Sequence, residues 1–207
     1  MKKIILATNN PHKVEEFKRL LKDYRILTLK DIGFTENIVE DGYSFEENAI
    51  IKAKTVYNWV KAHTKLELAV LAEDSGLCVK AINYEPGIMS ARYSGLGDEG
   101  NRKKLLNMLI NIQDRTAYFQ CLCALIMPEG DMIIEDGRCY GLITKSKIGD
   151  ESFGYDCLFW SNALKKTFGQ ATAEEKDKVS HRAQAVGKIR EYLESVKYGQ
   201  NQFDDEE

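Results

Sequence analysis

At 207 residues the chain can bury a sizeable core as one domain, or as one domain with a lobe. Its 43% hydrophobic and 29% charged content is ordinary for a soluble globular protein. A net charge of −3 excludes the strongly basic footprint of a duplex-binding protein, while a local positive cluster could still serve a small anion.

After "MKK" only "IILA" precedes Asn9 and Asn10, too short for the core of a secretory signal. No run approaches transmembrane length. "KKIILAT" predicts a buried strand. "PHKVEEFKRLLKDY" predicts a helix with Val14, Phe17, Leu21 and Tyr24 on one face. Asn10 followed by Pro11 is a start signal, a capping side chain before a residue favoured at the first helical position. "SFEENAIIKAKTVYNWVKAH" predicts a second helix with the stripe Ala49, Ala53, Val56 and Val60, opened by a capping box of Ser44 and Glu47.

"LELAVLA" reads as a central strand ending at the acidic pair Glu73 and Asp74, with "LCVKAI" as a further strand and "NYEPGIMSARYSGLGDEG" as a long loop. "NRKKLLNMLINI" is helical. "TAYFQCLCALIM", "PEGD" and "MIIEDGRCYGLIT" form a hairpin pattern. The loop "KSKIGDESFGYD" leads to "CLFW", and "TAEEKDKVSHRAQAVGKIREYLESV" holds one or two helices. Five cysteines (Cys78, Cys121, Cys123, Cys139 and Cys157) lie inside apolar patterns. Cys121 and Cys123 would face one side of a strand and, with no second Cys/His pair, read as buried small hydrophobes. Such usage fits the cytoplasm. With no repeat and no composition break, residues 1–207 are expected to form a single domain, with a frayed acidic tail from about 199 to 207. The class is α/β, with a mixed sheet.

"GLGDEG" (Gly95, Gly97, Gly100) matches the dinucleotide fingerprint letter for letter but fails its context. Pro86, Ser90 and Arg92 stand where a buried strand should precede it, and Asp98 and Glu99 would face a pyrophosphate. The opening stretch is a better phosphate candidate: a helix N-terminus with Thr8, Asn9 and Asn10 beside it and Lys13 in its first turn. Glu73, Asp74, Ser75 and Gly76 fall where an α/β sheet places ligands, at the carboxyl end of the expected strand. Two acids there suit either a hard cation such as Mg²⁺ or proton abstraction from an attacking water. Glu40 in "VEDG" is a further possible ligand. "SFGYD" offers an exposed-looking aromatic pair suited to stacking a base. In "SHR", Ser180 can cap the last helix and leave His181 and Arg182 as donors in its first turn. Cations there oppose the helix dipole, so the position suits a ligand better than stability.

"ATNNPHKVEEF", "EDGYSFEENAIIKAK", "AEDSGL", "EPGIMSARYSG", "FGYD" and "EEKDKVSHRAQA" occur in this order from residue 4 to about 190. On them the sequence resembles the non-canonical purine nucleoside triphosphate pyrophosphatases, also called inosine/xanthosine triphosphate pyrophosphatases. The resemblance implies an elongated α/β fold, a long mixed β-sheet flanked by helices, with two lobes and the active site in the cleft between them. It implies Mg²⁺-dependent cleavage of ITP, dITP or XTP to the monophosphate and pyrophosphate, and a homodimer. Neither a nucleic-acid nor a membrane partner is expected.

Carried onto matching positions, the resemblance has Thr8, Asn9, Asn10, Pro11, His12 and Lys13 holding the triphosphate, and Asp74 as the base that activates water. Mg²⁺ would be held by Glu40 and Asp74, with Glu73 as a further ligand. Ser75 would touch substrate, and Phe153, Gly154, Tyr155 and Asp156 would form the base pocket, Phe153 stacking on the purine. Lys176 would contact the nucleotide, and His181 and Arg182 would read the base edge. A donor such as Arg182 satisfies the position-6 carbonyl of hypoxanthine or xanthine, whereas adenine's amino group would leave it unpaired. The sequence departs from the family pattern in three places: Cys157 follows "GYD" where Pro is usual, Met89 replaces an aromatic, and "TFGQA" replaces "TFAEL". The first predicts a less rigid loop and less sharp base selection. A pyrophosphatase for other modified nucleotides would need a different base pocket. A non-catalytic nucleotide-binding sensor would have lost the acids that are present here.

Overall fold

The computed structural model describes residues 2–199; the expected acidic tail lies outside the described residues from position 200 onward. Two compact units are formed, one from the described parts of 1–74, 122–136 and 185–207, the other from 75–121 and 137–184.

In the first unit, β1 (Lys2–Leu6) pairs in parallel with β2 (Tyr24–Leu27), Ile4 opposite Ile26, and with β3 (Ala69–Val79), Ile5 opposite Val70. Helix α1 (Pro11–Leu20) buries Val14 and Phe17. It ends short of the expected Tyr24, which opens β2 instead. Tyr24 and Ile26 are buried while Arg25 between them is exposed, so the alternation of a strand overrides the helical spacing. Helix α2 (Phe45–His63) buries Ala49, Ala53, Val56 and Val60 as predicted. Its capping box is modified. Ser44 Oγ accepts the Glu47 N–H, but the Glu47 carboxylate takes the N–H of Tyr43 instead of that of Ser44.

The two strands expected on either side of the acidic pair are one. β3 runs without a break through Glu73, Asp74, Ser75 and Gly76, so the acids lie inside a strand and not at its carboxyl end. Charge does not end the strand because both carboxylates find lysine partners.

β4 (Thr116–Ile126) and β5 (Met132–Ile143) form the expected hairpin, followed by β6 (Phe159–Ser161) and the unforeseen β7 (Lys166–Thr167). β5, β6 and β7 pair antiparallel, Leu142 opposite Trp160 and Trp160 opposite Thr167. The sheet is seven-stranded and mixed, in the order β2-β1-β3-β4-β5-β6-β7. The expected long loop contains a 3-10 turn at Gly87–Arg92, and α3 (Gly97–Met108) begins within "GLGDEG". Two more helices follow, α4 (Ala173–Lys176) and α5 (His181–Ser195).

The core of the second unit gathers Leu77, Leu105, Phe119, Phe159 and Phe168. Phe119 meets Phe159 edge-on at 4.8 Å between ring centroids. All five cysteines are buried.

Candidate active site

Within the first unit, the opening stretch forms the cap foreseen from sequence. Asn10 Oδ1 accepts the N–H groups of His12 at 3.0 Å and Lys13 at 3.3 Å, and Thr8 Oγ1 accepts that of Asn10 at 3.2 Å. Two of the helix-end donors expected to face a phosphate are therefore spent on Asn10, and Pro11 supplies none. Asn9 and His12 are exposed. The Lys13 ammonium pairs with Glu73, which is 1% exposed.

The neighbouring acids have different lysines as their close partners, Lys13 for Glu73 and Lys52 for Asp74. Asp74 Oδ2 accepts from Asn48 Nδ2 at 3.1 Å, and its Oδ1 lies 3.5 Å from Lys52 Nζ. The same ammonium group is 2.8 Å from Glu40 Oε2, so Glu40 and Asp74 meet at Lys52. Sequence reasoning missed Asn48 and Lys52. Their signal is present: they stand four apart on α2, in step with Ala49 and Ala53, which puts polar groups beside the buried stripe. Asn48 Oδ1 also accepts the Gly42 N–H at 2.9 Å, tying the segment after Glu40 to the start of α2.

Burial raises the Asp74 pKa above the ordinary aspartate value and the Glu73 charge adds to this, while Lys52, Lys13 and the Asn48 hydrogen bond pull it down. For Lys52 burial works against the charge, but Asp74, Glu73 and Glu40 together outweigh it and the pKa is raised. Uncompensated, each buried ion would cost several kcal/mol, on the order of the penalty for any desolvated charge. Three carboxylates (Glu40, Glu73, Asp74) against two ammonium groups (Lys13, Lys52) leave one formal negative charge. That surplus on hard oxygen donors fits a divalent cation of the Mg²⁺ type, which takes one or two carboxylates and fills its shell with water and phosphate. Among the described residues no group of three or more His, Cys, Asp or Glu side chains forms a closed metal cage.

Within the second unit, Ser180 Oγ accepts the Ala183 N–H at 3.0 Å and caps α5, as expected. His181 and Arg182 are buried in its first turn. The His181 ring lies parallel to Phe119, centroids 4.8 Å apart, so packing holds it against the core. Arg182 is 2% exposed, and its Nη2 donates to Ser75 Oγ at 2.9 Å.

The loop "FGYD" is divided. Phe153 is half-buried with the Lys176 ammonium 5.3 Å from its ring centroid, and Lys176 binds Asp156 Oδ2 at 2.6 Å. Tyr155 is buried, its hydroxyl donating to the Ser90 carbonyl at 2.7 Å, so of the expected exposed pair only Phe153 is accessible for stacking.

A model described as the Ham1 family matches residues 4–192. A dITP/XTP pyrophosphatase of Clostridium perfringens is 42% identical over 202 residues, covering 95% of this chain and 99% of that protein. The protein of the same name from Bacillus subtilis is 42% identical over 201 residues, covering 94% and 98%. The solved structure of the Staphylococcus aureus Ham1 protein superposes with a TM-score of 0.82 at 38% identity, covering 94% of this chain and all of that one (100%).

Proposed function

The chain belongs to the Ham1 family, and from that premise we propose that it is a nucleoside triphosphate pyrophosphohydrolase. It converts non-canonical purine nucleotides (ITP, dITP, XTP) to the monophosphate and pyrophosphate, which clears them from the nucleotide pool. The observation that carries the reading is the buried group of Glu73, Asp74, Lys52 and Asn48, with the half-buried Glu40 and Lys13 paired to it. Such a group has both a base for water and cations for phosphate.

In this reading Asp74 takes the proton of the attacking water. Its raised pKa makes it a better proton acceptor than an exposed aspartate, and Lys52 and Asn48 hold its two oxygens in place. Lys13 and Lys52 exchange carboxylate partners for phosphate oxygens when substrate enters, with Thr8, Asn9, Asn10, Pro11 and His12 framing the triphosphate. Glu40 and Asp74, with Glu73 as a further ligand, would hold Mg²⁺, which would supply neutralisation of the phosphate charge. Holding the metal and accepting the proton draw on the same Asp74 oxygens.

Phe153 stacks on the purine, and Gly154, Tyr155 and Asp156 shape the turn beneath it. Lys176 contacts the nucleotide, and Ser75 orients Arg182, which donates to the position-6 carbonyl beside His181. The reading extends to a homodimer acting in the cytoplasm without nucleic-acid or membrane partners. Among the described residues no helix is long and apolar enough to cross a membrane.

Steady-state rates on ITP, dITP, XTP, GTP and ATP, each with and without Mg²⁺, test the proposal. Metal-dependent turnover of the first three and poor turnover of ATP are expected. Equal rates on ATP and ITP would replace it with a general triphosphatase.

A further inference from the structure

Gly154, the residue after Phe153, is held at both its backbone polar groups by one face of α3. Its N–H donates to Asp98 Oδ2 at 2.8 Å, and its carbonyl accepts from Arg102 Nη1 at 2.8 Å. Asp98 and Arg102 are four residues apart and so lie on the same side of the helix. Arg102 is buried and divides its guanidinium among three acceptors, adding the Glu151 carbonyl at 3.2 Å and the Glu99 carboxylate at 3.0 Å. Lys147 closes the outer side, 2.7 Å from Glu151 and 3.3 Å from Glu99. Gly154 has a φ of +50°, the left-handed region open to glycine, and the Asp156 N–H returns to the Phe153 carbonyl at 3.2 Å to complete the turn.

We infer that Asp98 and Arg102 are positioning residues for base recognition, a clamp on Gly154 that fixes the Phe153 ring where a purine stacks. The inference rests on the reading of Phe153 as the stacking residue. The turn at Phe153 lies outside the described strands, and a ring on a mobile turn must be ordered at every binding event. Fixing the turn beforehand removes that cost from substrate affinity and leaves the phosphate chemistry untouched. Arginine suits the task because its planar fork reaches several carbonyl and carboxylate oxygens at once, which a lysine ammonium cannot do in one geometry.

The test compares a ligand that has a base with one that has none. KM and kcat for ITP, and inhibition by inorganic tripolyphosphate, are measured for the intact protein and for Arg102→Ala, Arg102→Lys and Asp98→Ala. The clamp predicts a KM for ITP raised about 3- to 10-fold in Arg102→Ala, kcat within about twofold, and unchanged tripolyphosphate inhibition. Arg102→Lys falls between. Phe153→Ala should raise the KM for ITP in the intact protein and add little in the Arg102→Ala background, because the two act through one contact. Parallel weakening of ITP and tripolyphosphate would overturn the clamp in favour of a merely structural arginine. A Phe153→Ala effect with silent Arg102→Ala, Arg102→Lys and Asp98→Ala also overturns it. A Phe153→Ala enzyme with an unchanged KM would instead overturn the stacking reading on which the clamp rests.

Discussion

Asp74 is 8% exposed and bound at both oxygens, so its role can be probed without moving the backbone. Asp74→Asn is nearly isosteric but cannot accept a proton. General-base catalysis is typically worth about 10²- to 10⁴-fold, so turnover should fall by at least that order while the fold survives. Near-normal turnover would make the acids structural. Titration gives a second handle. Burial raises the Asp74 pKa in the metal-free protein, so a carboxyl titration followed by NMR without Mg²⁺ should place it above the ordinary aspartate value of about 3.9. The Asn48 hydrogen bond favours the charged form; removing it in Asn48→Ala should move that titration to higher pH. A titration that stays in place, or moves to lower pH, would contradict this account of the Asp74 environment. At Arg182 the expected loss is that of a charge-assisted hydrogen bond. Arg182→Ala should cost roughly 1.5–3 kcal/mol, about 10- to 150-fold, against ITP, and leave the slow hydrolysis of ATP nearly unchanged. Equal losses on both substrates would assign Arg182 to phosphate or to folding.

At the scale of elements, the start of α2 does more than begin a helix. A Cβ on Gly42 would stand 2.7 Å from Glu47 Cβ and 2.8 Å from Asn48 Oδ1, closer than real contacts allow. Gly42→Ala therefore has to push the segment that follows Glu40 away from α2, a form of overpacking that costs about 1–3 kcal/mol. Thermal unfolding should shift down by about 2–4 °C per kcal/mol, and turnover should drop with it as Glu40 and Asp74 separate. A variant that melts and turns over normally would show that the Gly42–Asn48 contact positions nothing. The same region shows which features sequence makes visible. The stripe of α2, the Asn10 and Ser44 caps, Lys13 and the acidic pair were legible because each has a local signature of spacing or capping. Asn48 and Lys52 were not, because a polar residue inside a helix ordinarily faces water, and only the strand packed against it turns it inward. β3 was split for the converse reason: two acids look like the end of a strand until the lysines that neutralise them, 60 and 22 residues away in sequence, are in place. The burial of His181 and Arg182 has no local signature either: stacking on Phe119 and the bond to Ser75 hold them inside.

At the scale of the whole molecule, the mixed seven-stranded sheet keeps Asp74 and Ser75 consecutive on one strand, the first bonded to the acid and lysine cluster and the second to Arg182. With a net charge of −3, the chain offers positive charge locally, at lysines and arginines already engaged by carboxylates or hydroxyls. In the proposed reading a triphosphate with a matching base displaces those partners, and the outcome depends on which phosphorus the water attacks. The most direct measurement is the identity of the products formed from ITP and Mg²⁺, resolved by ³¹P NMR over a single time course. The account predicts inosine monophosphate and pyrophosphate in equal amounts from the first turnover, with no diphosphate intermediate. Inosine diphosphate accumulating with orthophosphate would contradict it.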